Sequence, residues 1–182
     1  MRRLLRTLLL AACLTTGTAC DRPADPAPVP TPTPAAASDT AATAPADALL
    51  GETVYVSVYS HIFYQDERQQ IDLAATLSIR NTDPDAAITV TGVRYYDSEG
   101  RLVRAYLDAP LTLPPLASRA YVVPEQDRTG GVGANFMVDW HANAAVSRPV
   151  IEAVMISTAS TLGLSFVSRG HVVRRHGEAP LP

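Results

Sequence analysis

From Gly51 to about Val173 the chain runs in short segments of alternating apolar and polar residues separated by turn formers. Val54, Val56 and Val58 interleave with Tyr55, Ser57 and Tyr59. A period of two puts the two sets on opposite faces of a strand. Ile71, Leu73, Ala75, Leu77 and Ile79 alternate with Asp72, Ala74, Thr76, Ser78 and Arg80, the cleanest half-buried pattern in the chain. Gln65–Gln70 before it reads as a polar loop, and Asn81-Thr82-Asp83-Pro84-Asp85 after it as a turn. Ile88 and Val90 share one parity, whereas Val93 and Tyr95 take the other, with Gly92 between them. A glycine at a change of phase predicts a β-bulge. Asp97-Ser98-Glu99-Gly100 has the residue order of a β-turn and leads into a strand over Leu102–Leu107.

Pro110, Pro114 and Pro115 interrupt the next crossing. Ala120–Val123 is a short strand that Pro124 places at an edge. Phe136, Val138 and Trp140 form one face of a following strand, and Asn135, Met137, Asp139 and His141 the other. Val150–Thr158 is apolar at both parities, which predicts a central strand, and Leu164–Val173 reads as the last one. About eight strands, frequent turns and no amphipathic helix predict an all-β fold: a single Ig-like β-sandwich of about eight strands. The cysteine and tryptophan spacing of antibody domains is absent, so the likeness is one of architecture.

The N-terminus is of a different kind. Arg2, Arg3 and Arg6 precede an uncharged stretch from Thr7 to Ala19, too short for a spanning helix, which needs about 20 apolar residues. This is the layout of a secretory signal. Gly17-Thr18-Ala19-Cys20 resembles a bacterial lipobox, which predicts cleavage after residue 19 and acylation of Cys20. Residues 20–50 contain seven of the 15 prolines. Proline fixes φ and removes a donor, so a disordered, polyproline-biased tether is expected, at about 3.1 Å per residue and roughly 90 Å at full stretch. The expected organisation is a signal peptide over 1–19, an acylated cysteine and Pro/Ala-rich linker over 20–50, the sandwich over 51–173, and a disordered tail over 174–182.

Composition narrows the chemistry. All 15 basic residues are arginines, against 18 acidic ones, for a net charge of −3. Loss of Arg2, Arg3 and Arg6 with the signal would leave the chain more acidic still. Such a chain does not seek a phosphate backbone, so no nucleic-acid partner is expected. With no lysine, and cysteines only at Cys13 and Cys20, a lysine- or cysteine-based active site has no starting residue in the domain. Neither a cofactor nor a metal is expected.

The candidate binding residues are Gly130, Gly131, Gly133, Asn135, Asp139, His141 and Arg169. Gly130–Asn135 is the one glycine-rich loop. It runs into a strand rather than a helix, so it reads as a turn with positive φ, or as a set of exposed backbone donors. Asp139 and His141 share a strand face, a spacing that serves an acid/base pair or part of a metal site, although no third ligand has a readable spacing. Arg169 can clamp a carboxylate. His61 reads as a cross-strand partner; His171 and His176, five apart, would face opposite ways on an extended strand.

Thr53–Ile62, Leu77–Asp83, Tyr95–Gly100, Gly133–Phe136 and Ser165–Gly170 together resemble a bacterial family of uncharacterised envelope proteins, "domain of unknown function 3124", over about Gly51 to Val173. The resemblance implies a small exported, often lipid-anchored domain with no assigned activity and no catalytic residues to carry over. The expected function is a lipid-anchored, periplasm-facing envelope protein whose sandwich binds a partner protein or small ligand, held to the membrane by the acyl chains on Cys20. Two other readings stand beside it. One is a metal-dependent or acid/base envelope enzyme using Asp139 and His141, and the other is a passive structural spacer.

Overall fold

The computed structural model describes residues 48–158 and 163–177. The signal segment, Cys20, most of the tether and the last residues of the tail lie outside them. The described residues form twelve strands: β1 Leu50–Ser57, β2 His61–Tyr64, β3 Asp66–Asp72, β4 Ala74–Arg80, β5 Ile88–Tyr96, β6 Leu102–Ala105, β7 Leu111–Leu113, β8 Ser118–Val123, β9 Asn135–Ala142, β10 Val150–Ser157, β11 Leu164–Arg169 and β12 His171–His176. One sheet has the order β12-β1-β9-β5-β6, with β7 also on β5; a second has the order β11-β10-β4-β8; β2 and β3 form a separate hairpin. All pairings are antiparallel. The fold is an all-β sandwich. Among the described residues no helix is long and apolar enough to cross a membrane.

The alternation read in the sequence is what closes the core. Val54, Val56, Ile88, Val90, Val93, Tyr95, Phe136, Val138 and Trp140 from the six-stranded sheet meet Ala75, Leu77, Ile79, Tyr121, Val123, Ile151, Ala153 and Met155 from the four-stranded sheet, all buried. The phase change at Gly92 is a real bulge, because the β5–β9 register shifts between Val90 and Gly92. The Asp97 turn is held by its own carboxylate, whose Oδ1 accepts from the backbone N–H groups of Glu99 and Arg101. Gly100 supplies the positive φ of 77° that closes it. The Asp83 carboxylate accepts from Asp85, Ala86 and, across the molecule, Ser147. Asn81 goes further than its turn: buried, it donates to the carbonyls of Ala86, Leu113 and Pro114, stapling two loops.

Five readings change. The expected polar loop at Gln65–Gln70 is a turn at Gln65, with φ of 64°, followed by β3. Pairing jumps from Phe63–Gln70 to Tyr64–Asp66, so Glu67, Arg68 and Gln69 bulge out, and the Asp66 carboxylate takes two of the released N–H groups. The pattern over Ile71–Ile79 is broken at Leu73, whose N–H turns aside to the Ser60 carbonyl. The central β10 is buried on one face only; Val150 and Ile156 point outward. Finally, Leu164–Val173 is two strands rather than one. At Gly170 the chain leaves the four-stranded sheet for the six-stranded one, and a Cβ there would press on Val54 and the Ile151 carbonyl. Because β12 pairs with β1 as far as His176 on Gly51, Arg174, Arg175 and His176 belong to a strand and not to a loose tail.

Candidate functional site

Asp139 lies on β9, between β1 and β5, on the sheet surface facing away from the core. Its strand neighbours explain its environment. Thr53 is opposite on β1, and its hydroxyl donates to Asp139 Oδ1 at 2.7 Å. On the other side the bulge places Gly92 opposite, where a Cβ would come within 2.8 Å of Asp139 Oδ2. The missing side chain makes room for Arg94, whose Nη2 donates to Oδ2 at 2.6 Å. Both partners of this ion pair are buried. Because the Thr53 proton is already committed to Asp139, its oxygen accepts from His176 Nε2 at 3.3 Å. The result is a closed chain, His176–Thr53–Asp139–Arg94, in which each carboxylate oxygen is engaged.

His141 shares this face and is buried, as its spacing from Asp139 predicts. The Asp139 oxygens accept from Thr53 and Arg94. Among the described residues no three His, Cys, Asp or Glu side chains come together as a metal site. His171 and His176 lie on the same face rather than opposite ones. A register shift in the β1–β12 pairing puts His171 opposite Tyr55 and His176 opposite Gly51. His61 is a cross-strand partner, opposite Asp72 and edge-on to the Phe63 ring.

The glycine loop is a structural corner. Gly131–Gly133 makes one 3₁₀ turn, entered from a buried Gly130 whose Cβ would overlap the Tyr95 hydroxyl. The Gly131 N–H donates to the Arg128 carbonyl, and the Gly133 N–H to Ser98 Oγ at 2.9 Å. Ser98 and Ser60 both donate side-chain and backbone hydrogens to carbonyls of the loop. Two of the N–H donors that an anion cradle would offer, those of Gly131 and Gly133, are therefore spent within the protein. Asn135 begins β9, between Ser57 and Tyr96, about four residues and roughly 13 Å along the strand from Asp139.

Arg169 is elsewhere, on the outer face of the four-stranded sheet. It lies opposite Glu152, and no hydrogen bond or ion pair to its guanidinium is found among the described residues. With Pro149, Val150, Ile151, Glu152 and Gly170 it lines a cleft of about 420 Å³. The cleft opens onto a sheet face whose rows run across all four strands. One row is Val122, Thr76, Val154 and Val167; the next is Ala120, Ser78, Glu152 and Arg169; Ala74, Ile156 and Ser165 form a third. Val122 is 53% exposed, Val167 55%, Ile156 44% and Val150 42%. An antiparallel sheet with one solvated face ordinarily carries polar residues there. Here exposed valines and an isoleucine stand among Thr76, Ser78, Glu152, Ser165 and Arg169.

The seven candidate residues thus fall into three places: the corner at Gly130–Asn135, the polar face with Asp139 and His141, and Arg169 on the opposite sheet. Sequence reasoning missed Arg94 and Thr53, which complete the polar chain, and Glu52. Glu52 is buried to 2% exposure and holds Arg148 at 2.8 Å and Arg175 at 3.6 Å. A charged residue at the inward parity of β1, between Leu50 and Val54, was the available signal.

Comparison with known proteins adds the family. The crystal structure of Thermotoga maritima 1070 aligns with 66% of this chain and 92% of its own, at 10% identity and a TM-score of 0.41. No curated protein matches the sequence. A family model described as "Protein of unknown function (DUF3124)" matches residues 51–173, more than half of the chain and most of the sandwich, and the chain belongs to that family.

Proposed function

We propose that this protein is a cell-envelope interaction module, exported by its N-terminal signal, anchored by acyl chains on Cys20, and carried away from the membrane on its proline-rich tether. It engages a partner through the outer face of the four-stranded sheet. The observation that carries the reading is the apolar row Val122–Thr76–Val154–Val167 on a face that no described segment covers. Residue chemistry on the other sheet supports it from the opposite side. Asp139, the residue an acid/base mechanism would need, has both oxygens engaged by Thr53 and Arg94.

The test is photocrosslinking in intact cells. A benzophenone amino acid is placed at Val122 or Val167, and for comparison at Thr112 on the other sheet. Adducts from the two valine positions and none from Thr112 are expected. Equal labelling from both sheets, or none from either, overturns the assignment. The anchor has its own test, because Cys20→Ala should release the protein from the membrane fraction. A mature species that keeps Met1 would refute export and acylation together.

A further inference from the structure

We propose that the open edge of β12 takes up an extended acidic peptide as a further strand of the six-stranded sheet. This site is separate from the outer face of the four-stranded sheet, and either can fail without the other.

Two observations meet on this strand. The first is the backbone. β12 ends its sheet: it pairs with β1, and no described segment pairs with its other side. Six residues of about 3.4 Å rise give an edge of roughly 20 Å, which matches five or six residues of a partner strand. A peptide added there gains main-chain hydrogen bonds along its length. The second observation is charge. Between Glu152 and Glu178 the chain has no acidic residue, and Arg169, Arg174 and Arg175 stand within that stretch. Residues 51–152, by contrast, hold 13 acidic residues against eight basic ones. β12 itself carries His171, Arg174, Arg175 and His176, whereas β6, β8 and β11, which also end their sheets, carry one arginine each. This charge is only partly neutralised. Glu52 is one carboxylate shared between Arg148 at 2.8 Å and Arg175 at 3.6 Å. Arg174, opposite Thr53, is exposed, and no hydrogen bond or ion pair to its guanidinium is found among the described residues.

The occupant follows from the two observations together. Charged side chains on an edge strand discourage pairing with a like edge. Laid antiparallel against its own copy, β12 would set arginines and histidines among arginines and histidines, and like charges on paired strands are destabilising. A phosphate backbone would engage the arginines but leave the row of N–H and C=O groups unpaired. An acidic strand answers both, with carboxylates beside the guanidinium groups and a backbone that continues the ladder. Arg174 and Arg175 are neighbours in sequence and lie on opposite faces of the sheet, so carboxylates at either parity of the peptide find a cation. The acidic surplus of residues 51–152 repels the same peptide elsewhere and steers it to this edge.

The test uses the purified full chain in detergent and a fluorescein-labelled ten-residue peptide of alternating glutamate and threonine. Saturable binding by fluorescence anisotropy is expected, together with slower hydrogen exchange at the amides of residues 171–176. A peptide with lysine in place of glutamate should bind at least ten-fold more weakly. So should a glutamate peptide N-methylated at two adjacent central residues, which blocks both of its edges. Arg174→Glu, and independently His171→Glu, should each weaken binding at least ten-fold while the urea midpoint stays that of the parent chain. No binding by the folded parent chain overturns the proposal. Equal binding of the N-methylated peptide overturns strand addition, and so does competition by an oligothymidylate as strong as that of the peptide. Self-association of the peptide-free chain that Arg174→Glu alters would put a second copy on the edge and overturn the acidic peptide as its occupant.

Discussion

The two sheets turn opposite kinds of surface outward. The six-stranded sheet presents a chain of polar groups engaged with one another: His176 on Thr53, Thr53 on Asp139, Asp139 on Arg94. The four-stranded sheet presents valines and an isoleucine with nothing described against them. A polar group satisfied inside the protein has little left to offer a ligand, whereas exposed β-branched carbons gain free energy from any surface that removes water from them. Residue chemistry alone would send the search to the first face, with its aspartate, arginine and histidines. Accounting for partners sends it to the second.

The sharpest way to break this comparison is to cut the polar chain. Arg94→Ala or Asp139→Ala leaves one buried charge without its partner, which typically costs about 3–5 kcal/mol. Urea unfolding should show that loss in each single variant. Replacing both partners with apolar residues, as in Arg94→Met with Asp139→Leu, should recover most of it, because a buried pair contributes little net stability over well-packed hydrophobes. If Asp139→Ala instead leaves stability unchanged, the carboxylate is not structural, and an active role returns.

A smaller effect is expected at Gly92. A Cβ there would stand 2.8 Å from Asp139 Oδ2. Gly92→Ala should cost about 1–3 kcal/mol, the usual range for overpacking a tight site. In an Asp139→Ala background the alanine should be better tolerated, since the obstructing carboxylate is gone. That coupling, measured by a double-mutant cycle, says whether the bulge exists to house the ion pair.

How far the sequence was legible follows the same division. Strand parity is local, so the inward sets on β1, β4, β5 and β9 could be read directly, as could the bulge at Gly92 and the turn at Asp97. Register between strands is not local. Nothing in the string of residues says that Thr53 sits across from Asp139, or that Arg94 reaches it from the other side. The split at Gly170 was hidden for a related reason: Leu164–Val173 keeps one β pattern while passing from one sheet to the other, and only the close approach of the Ile151 carbonyl shows why a glycine stands between them. The apolar outer face was legible in part. Val150–Thr158 is apolar at both parities, a pattern that predicts burial on both sides of a central strand, whereas β10 has one face buried and one exposed.

On the four-stranded face the comparison predicts an effect on association with almost none on folding. Val167→Thr and Val122→Thr keep the branched shape and add a hydroxyl that water can satisfy. As exposed substitutions they should shift unfolding by no more than about 0.5 kcal/mol. The same changes should weaken photocrosslinking from this face to its partner. A variant on the polar sheet matched for exposure should do neither.

Acid gives the smallest and most graded test, through two turn carboxylates outside both faces. Ser147, Asp85 and Ala86 N–H groups hold the Asp83 carboxyl below its ordinary range. At Asp97 burial pushes the other way, but the Arg101 guanidinium and the N–H groups of Arg101 and Glu99 outweigh it and leave the carboxyl lowered as well. A folded-state value below the unfolded one means that the unfolded chain binds protons first as pH falls. The stability these groups contribute is therefore fully present above the unfolded value of about 3.9 and drains away as pH drops through and below it. Chemical denaturation from pH 6 down to pH 2 should show stability falling chiefly below about pH 4, and Asp97→Asn should flatten that fall. Photocrosslinking from the four-stranded face depends on uncharged valines. It should hold down the same pH series until the sandwich itself opens, and an earlier loss would mean that Glu152, rather than the apolar row, governs association.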